Sequence, residues 1–299
     1  MAPDFDIYLV SHSTFMFYRS ACLCFFIAFI YSHCTPPANG GHAYKSPDGY
    51  NLNKPFLLKL PVELDEISGL AFYAKDTSVF AVGDEFGWLY KIPLTAGKPI
   101  RKWKFSGEGD YEDLVMVDKV FYVLQSDGDI TAFTFNDHNQ ILQQQSEFPS
   151  RGNEFEILYY DPHMFKLMMI CKDCESDKKK ALTAFYFNLL NKSFDDSASI
   201  NVTAIANMIG EKKIKFKPSA AAINPVTDEL YMLSSINKLL VIADRQGNPK
   251  QAYPLDEGLF KQPEGITFTP QGDMLISNES AKSGVANILF FKYNKKVKS

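Results

Sequence analysis

The chain has 299 residues, with 31 basic and 35 acidic side chains and a formal net charge of −4. Its 46% hydrophobic and 22% charged residues are ordinary for a folded protein and argue against a disordered chain, while the acidic balance argues against wholesale nucleic-acid binding. Five cysteines are too few for a disulfide-stapled mini-scaffold, whereas 25 Phe and 15 Tyr suit packed strands.

Residues 1–34 read as an address. Ala21–Tyr31 is an apolar run of eleven residues preceded by Arg19, short of the roughly 20 residues that span a bilayer and of the length of a secretory apolar region. Asp4 and Asp6 are unusual ahead of such a run, so Met16 is the expected start. Cys34 stands where a bacterial lipoprotein signal places its lipidated cysteine, although Ser32-His33 matches the usual small-residue box loosely. An ordinary cleaved signal and an uncleaved anchor are the alternatives. Residues 35–49, beginning Thr-Pro-Pro-Ala-Asn-Gly-Gly, form a flexible tether. All three readings place the globular part outside the cytoplasm, and the favoured lipoprotein reading anchors it in the cell envelope, facing the periplasm or cell surface.

From Tyr50 one unit repeats: a polar residue, a small residue or its substitute, then a short apolar strand. It occurs as Ser68-Gly-Leu-Ala-Phe72, Glu112-Asp-Leu-Val-Met116, Glu156-Ile-Leu-Tyr-Tyr160, Ser219-Ala-Ala-Ala-Ile223 and Glu264-Gly-Ile-Thr-Phe268, at spacings of 44, 44, 63 and 45 residues. A second apolar run follows each, such as Val79–Val82, then a polar turn and a third run, such as Trp88–Ile92. A more polar fourth run closes most units, as in Ile100–Phe105. Four strands per roughly 45 residues predict an all-β fold, a β-propeller of five four-stranded blades, with six as the alternative if the long spacing hides a blade. The last unit ends near Tyr293 with three strands, and Lys54–Leu60 is the expected fourth, closing the ring over residues 50–294. Residues 295–299 are a basic tail. Between blades three and four, Val202–Gly210 has helical spacing and a glycine stop, and the basic Glu211–Lys217 alternates like a strand.

The innermost strand of each blade should start at one mouth of the axial channel, bringing Ser68, Glu112, Glu156, Ser219 and Glu264 together. Glu66 lies on the same side as Ser68 by the period-2 rule, and second-strand ends add Asp84, Gln125, Cys171, Ser234 and Asn278, with Glu85 and Glu279 one residue further. Carboxylates converging there need raised pKa values, a basic partner or a bound cation. Lys215, Lys217 and Lys261 are candidate partners. Oxygen-rich donors suit calcium or magnesium better than zinc, so Glu112, Glu156, Glu264 and Asn278 are the expected metal ligands. Glu66, Ser68, Asp84 and Ser219 are the expected ligand contacts. The competing reading makes the anchors hydrogen-bonders that hold neighbouring blades together.

Cys171-Lys-Asp-Cys174 has redox or metal-ligand spacing, but a zinc site needs two more ligands. His12, His33 and His42 precede the domain, and His138 and His163 fall in predicted turns. Two free thiols are the expectation for the pair, with a disulfide the alternative in an oxidising compartment. Lys178–Lys180 reads as a solvated turn. No Gly-x-Ser-x-Gly, P-loop or Gly-x-Gly-x-x-Gly motif occurs.

The strings Leu64–Ala71, Gly109–Val115, Phe216–Ile223, Gln262–Phe268 and Ile276–Glu279 resemble the SdiA-regulated family, in the lipoprotein form found in Bacteroidetes. The resemblance runs from about Tyr50 to Tyr293 and implies an envelope β-propeller related to NHL-repeat barrels. It implies little chemistry. Two functions compete: a module binding a small ligand or an envelope protein, with a divalent cation in the channel, or a calcium-dependent hydrolase of lactonase or phosphoesterase kind. The second lacks a histidine near the mouth, so Glu66 or Asp84 would have to serve as base.

Overall fold

The computed structural model describes residues 43–95, 97–138, 140–174, 181–280 and 284–294. Met16, Cys34, the tether as far as His42, Lys178–Lys180 and the tail 295–299 lie outside the described residues.

The described residues fold into five four-stranded antiparallel sheets. After β1 (Phe56–Lys59), the first blade is β2 (Ile67–Tyr73), β3 (Ser78–Gly83), β4 (Phe86–Pro93) and β5 (Arg101–Glu108). The second is β6 (Tyr111–Val117), β7 (Val120–Gln125), β8 (Ile130–Phe135) and β9 (Ile141–Ser146). The third is β10 (Glu154–Asp161), β11 (Lys166–Asp173), β12 (Ala181–Asn188) and β13 (Ser193–Asn201). The fourth is β14 (Ala220–Asn224), β15 (Glu229–Ser234), β16 (Leu239–Ala243) and β17 (Pro249–Pro254). In the fifth, β18 (Pro263–Phe268), β19 (Met274–Asn278) and β20 (Asn287–Phe291) are completed by β1, which pairs Phe56 with Phe290 and Lys59 with Asn287. The N-terminal closing strand is as the sequence predicts, and the long spacing holds no sixth blade.

Each sheet is sandwiched between two others, so its inner strands are apolar on both faces and read as continuous hydrophobic runs. β3 (SVFAVG) is buried except at its last residue, whereas β9 and β17, with solvent beyond them, are mostly exposed. Five apolar clusters result, one in each gap between neighbouring blades. Between blades one and two, Phe105 stacks on Phe133 with ring centroids 4.9 Å apart.

The small residue after two of the anchors has a steric cause. A Cβ on Gly69 would lie 2.3 Å from the Leu114 nitrogen and 2.4 Å from Asp113 Oδ1. One on Gly265 would lie 2.5 Å from the Ser68 carbonyl oxygen. Inner strands of adjacent blades therefore approach too closely for a side chain.

Val202–Met208 forms the expected helix, α1, capped by Asn201, whose side chain accepts from the Ala204 N–H at 3.3 Å. The strand expected over Glu211–Lys217 does not form. This segment crosses from the outer edge of blade three to the inner strand of blade four, where no sheet edge runs beside it. The Lys217 N–H is taken instead by the Asn237 side chain at 3.0 Å, and Phe216 is buried.

Candidate functional site

Backbone bonds lace the anchor end of the barrel from blade to blade. Tyr111 N–H donates to the Asp84 carbonyl at 2.8 Å, Phe155 to Ser126 at 2.8 Å, and Ser280 to Asp65 at 2.7 Å. These bonds fix where each inner strand starts, and hence where its first side chain points.

Glu112, Glu156 and Glu264 are brought together as expected: each lies within electrostatic range of another, and Lys172 acts on all three. Lys172 Nζ sits 3.0 Å from Glu154 Oε1 and contacts Glu156. Burial pushes the Glu112 carboxyl up to about 9, with Glu156 adding to the effect. Burial and then Glu156 push Glu264 up to about 8, opposed by a hydrogen bond from Ser235. Glu156 is raised too, its burial outweighing the Lys172 contact. Burial works against the Lys172 ammonium, but Glu156 and Glu154 overcome it and raise its pKa.

A second group adjoins the first through Glu279, which acts on both Glu264 and Asp84. Burial and then the Glu66 carboxylate push Asp84 up to about 7, and the two carboxyls are within hydrogen-bonding reach of each other. Asp84 Oδ1 is buried with no hydrogen-bond partner. Burial and Glu66 also raise Glu279, which accepts a bond from Gln262 Nε2 at 2.6 Å.

Ser219 and Ser68 are engaged in holding blades together, and Asn278 is bound within its own blade and the segment before it. Ser219 Oγ donates to the Pro263 carbonyl at 2.6 Å and accepts from Ser235 N–H at 3.1 Å. Ser68 is buried, and its carbonyl accepts from Ser277 Oγ at 3.1 Å. Asn278 Nδ2 donates to the Leu259 carbonyl at 3.2 Å and to Asn287 Oδ1 at 3.0 Å, leaving its own oxygen buried without a partner. Lys215 and Lys217 reach Asp173 instead, at 3.6 and 3.5 Å, and Lys217 has only a minor influence on Glu156. The sequence reasoning missed Lys172. It follows the last predicted second-strand residue of blade three, the position that Glu85 and Glu279 hold in their blades, and that equivalence was its signal.

Cys171 and Cys174 are joined by a disulfide, their Cα atoms 5.7 Å apart, rather than standing as two free thiols. The Cα separation is within the range a disulfide requires, and both residues are buried in the gap between blades two and three. The bridge spans Lys172 and Asp173 at the end of β11.

The four residues expected to bind a metal do not fit one as arranged. An ammonium already occupies Glu156. Among the described residues no three Asp, Glu, His or Cys side chains are placed to hold an ion. Deeper on the axis the space is about 170 Å³, with Phe72, Tyr160 and Ile223 in its lining. That admits a few waters at roughly 30 Å³ each.

Fold and mouth together define a five-bladed propeller with a carboxyl-rich, partly neutralised channel entrance. The chain belongs to the SdiA-regulated family, whose model matches residues 58–282. No curated protein matches it in sequence. Among solved structures it is similar to a luciferin-regenerating enzyme, at 8% identity over 80% of this chain and 95% of that one, with a TM-score of 0.47. Regucalcin of Agrobacterium tumefaciens, described as a calcium-binding protein, is 12% identical over 82% and 95%, with a TM-score of 0.47. A catalytically inactive virginiamycin B lyase of Staphylococcus aureus is 11% identical over 82% and 90%, with a TM-score of 0.43.

Proposed function

We propose that this propeller is a binding module of the cell envelope, tethered through lipidated Cys34, whose acidic mouth takes a positively charged group of a small ligand or an envelope protein. The observation that carries the reading is Lys172 seated between Glu154 and Glu156, beside Glu112 and Glu264. The mouth stabilises an ammonium and still holds carboxyls that burial keeps protonated near neutral pH. An entering cation would exchange for those protons. The Cys171–Cys174 disulfide supports an oxidising compartment, as the envelope address requires.

An organic ammonium, rather than calcium, is the cation favoured here, because the mouth already holds an ammonium between Glu154 and Glu156. One titration separates them. Calorimetry of the purified protein with 1,4-diaminobutane, in buffers of different ionisation enthalpy, is expected to report binding with proton release, abolished in the double variant Glu112→Gln/Glu264→Gln. Calcium chloride serves as the second titrant. Binding of calcium alone, with a melting midpoint that rises with its concentration, would move the assignment to the metal. No heat with either titrant would end the cation reading.

Asp84, held at about 7 beside Glu66, supports the hydrolase as a second reading, since a carboxyl titrating there can give and take a proton at neutral pH. Hydrolysis of a lactone or phosphoester that is lost in Asp84→Asn would favour it.

A further inference from the structure

The residues that lengthen the spacing between blades three and four build a cavity of about 800 Å³ beside the propeller, within the roughly 300–1,000 Å³ of small-molecule sites. Its walls come from α1, the segment after it, the start of β12 and the end of β11 with Cys174. Leu182, Val202, Ala206, Ile214 and Phe216 give it an apolar floor, and all but Ala206 belong to or pack on the core between blades three and four. Its rim is basic. Lys212 and Lys213 are exposed and make no ion pair among the described residues, while Lys215 and Lys217 share the single carboxylate of Asp173. Among the described lining residues, Lys172, Lys212, Lys213 and Lys215 stand against the single carboxylate of Asp173, over an apolar interior. This is the complement of a molecule with an aliphatic chain and an anionic head, and nothing in the propeller plan requires it, since the other blade-to-blade steps manage without such an insertion.

We propose that this cavity binds a free single-chain amphiphile, its chain against Leu182, Val202, Ala206, Ile214 and Phe216 and its anionic head between Lys212 and Lys213. The head is neutralised by lysines that lose little solvation, and the chain leaves water for an apolar wall. The cavity borders the acidic mouth through Lys172, which stays paired with Glu154 and Glu156, and the proposal does not depend on the cation reading.

The test titrates the full purified protein with sodium decanoate below its micellar range, and with decyltrimethylammonium as the same chain carrying the opposite charge. Decanoate is expected to bind at one site and decyltrimethylammonium to bind at least about tenfold more weakly. Thr203→Trp, which puts a large ring into the cavity from an exposed helix position, should abolish decanoate binding with an unchanged melting midpoint. The double variant Lys212→Glu/Lys213→Glu lies on an exposed segment and keeps the test readable should Thr203→Trp lower that midpoint; it should weaken decanoate about tenfold. Equal affinity for the two heads, or binding untouched by both variants, would overturn the proposal. So would sedimentation with phosphatidylglycerol vesicles that needs Lys212 and Lys213 while decanoate fails to bind, because the surface would then belong to a membrane.

Discussion

Asp113→Ala is expected to cost about 3 kcal/mol of stability, the scale for stranding a buried donor and opening a gap in the core. In a domain of this size that is a fall in melting midpoint of roughly 6–12 °C. Asp113 is buried in β6, where its Oδ1 accepts from its neighbour Leu114 N–H at 2.8 Å and its Oδ2 from Leu158 N–H of the next blade, also at 2.8 Å. Burial raises its pKa while the two backbone donors oppose the rise. The side chain thus ties blade two to blade three at a point water does not reach. Asp113→Asn keeps an oxygen for one donor but turns an amide NH₂ towards the other, so an intermediate loss is expected. Thermal and urea unfolding measure both, and an unchanged midpoint for the alanine variant would mean that Leu158 finds another acceptor. Gly69→Ala belongs with this test. Its Cβ would meet the Leu114 backbone at 2.3 Å, so it should destabilise whether or not Asp113 is present.

The second large effect is on pH. Glu112 and Glu264 have folded-state pKa values of about 9 and 8, above the 4.5 of an unperturbed glutamate. A group raised on folding contributes stability that is complete below its unfolded pKa and is lost as pH rises through the folded one. The melting midpoint should therefore fall between about pH 5 and pH 9. Each unit of displaced titration is worth about 1.4 kcal/mol, so the two carboxyls together carry an effect on the order of 10 kcal/mol and the fall should exceed that of Asp113→Ala. Glu112→Gln and Glu264→Gln resemble the neutral acid and should flatten the dependence, matching the parent near pH 5 and exceeding it at pH 9. A parent midpoint that is level or rising across this range would show that the two carboxyls ionise freely in the folded protein.

The blades were legible in the sequence because their cause is local and repeated. A polar residue precedes a position where the neighbouring strand leaves no room, and Gly69 and Gly265 satisfy that constraint in the plainest way. Asp113 breaks the pattern at the equivalent position of blade two. It reads as variation in the sequence, yet its carboxylate lies just where the missing Gly69 side chain leaves space. The convergence of Glu112, Glu156 and Glu264 followed from topology alone. Their neutralisation did not, since that depends on which long side chain bends towards the axis. Lys172 does, whereas Lys215 and Lys217 are drawn to Asp173. The state of Cys171 and Cys174 was equally hidden, because a separation of three residues permits both a bridge and two thiols. Alternation misled at Glu211–Lys217, where the pattern of a strand was present without a sheet edge to receive it.

The pairing of β1 with β20 also sets the order in which the molecule is completed. Phe56, Leu57 and Leu58 are among the first residues of the barrel to leave the ribosome, and their partners Phe290, Leu289 and Ile288 are among the last. Blades one to four can each assemble from contiguous chain, but the fifth waits for a contact between the two ends, the most distant in the chain and so the slowest kind to form. Until then the first strand has no neighbour, and its three large apolar side chains stay partly exposed even after docking, Phe56 at 72%. Synthesis of this protein therefore carries an adhesive strand from its first moments to its last.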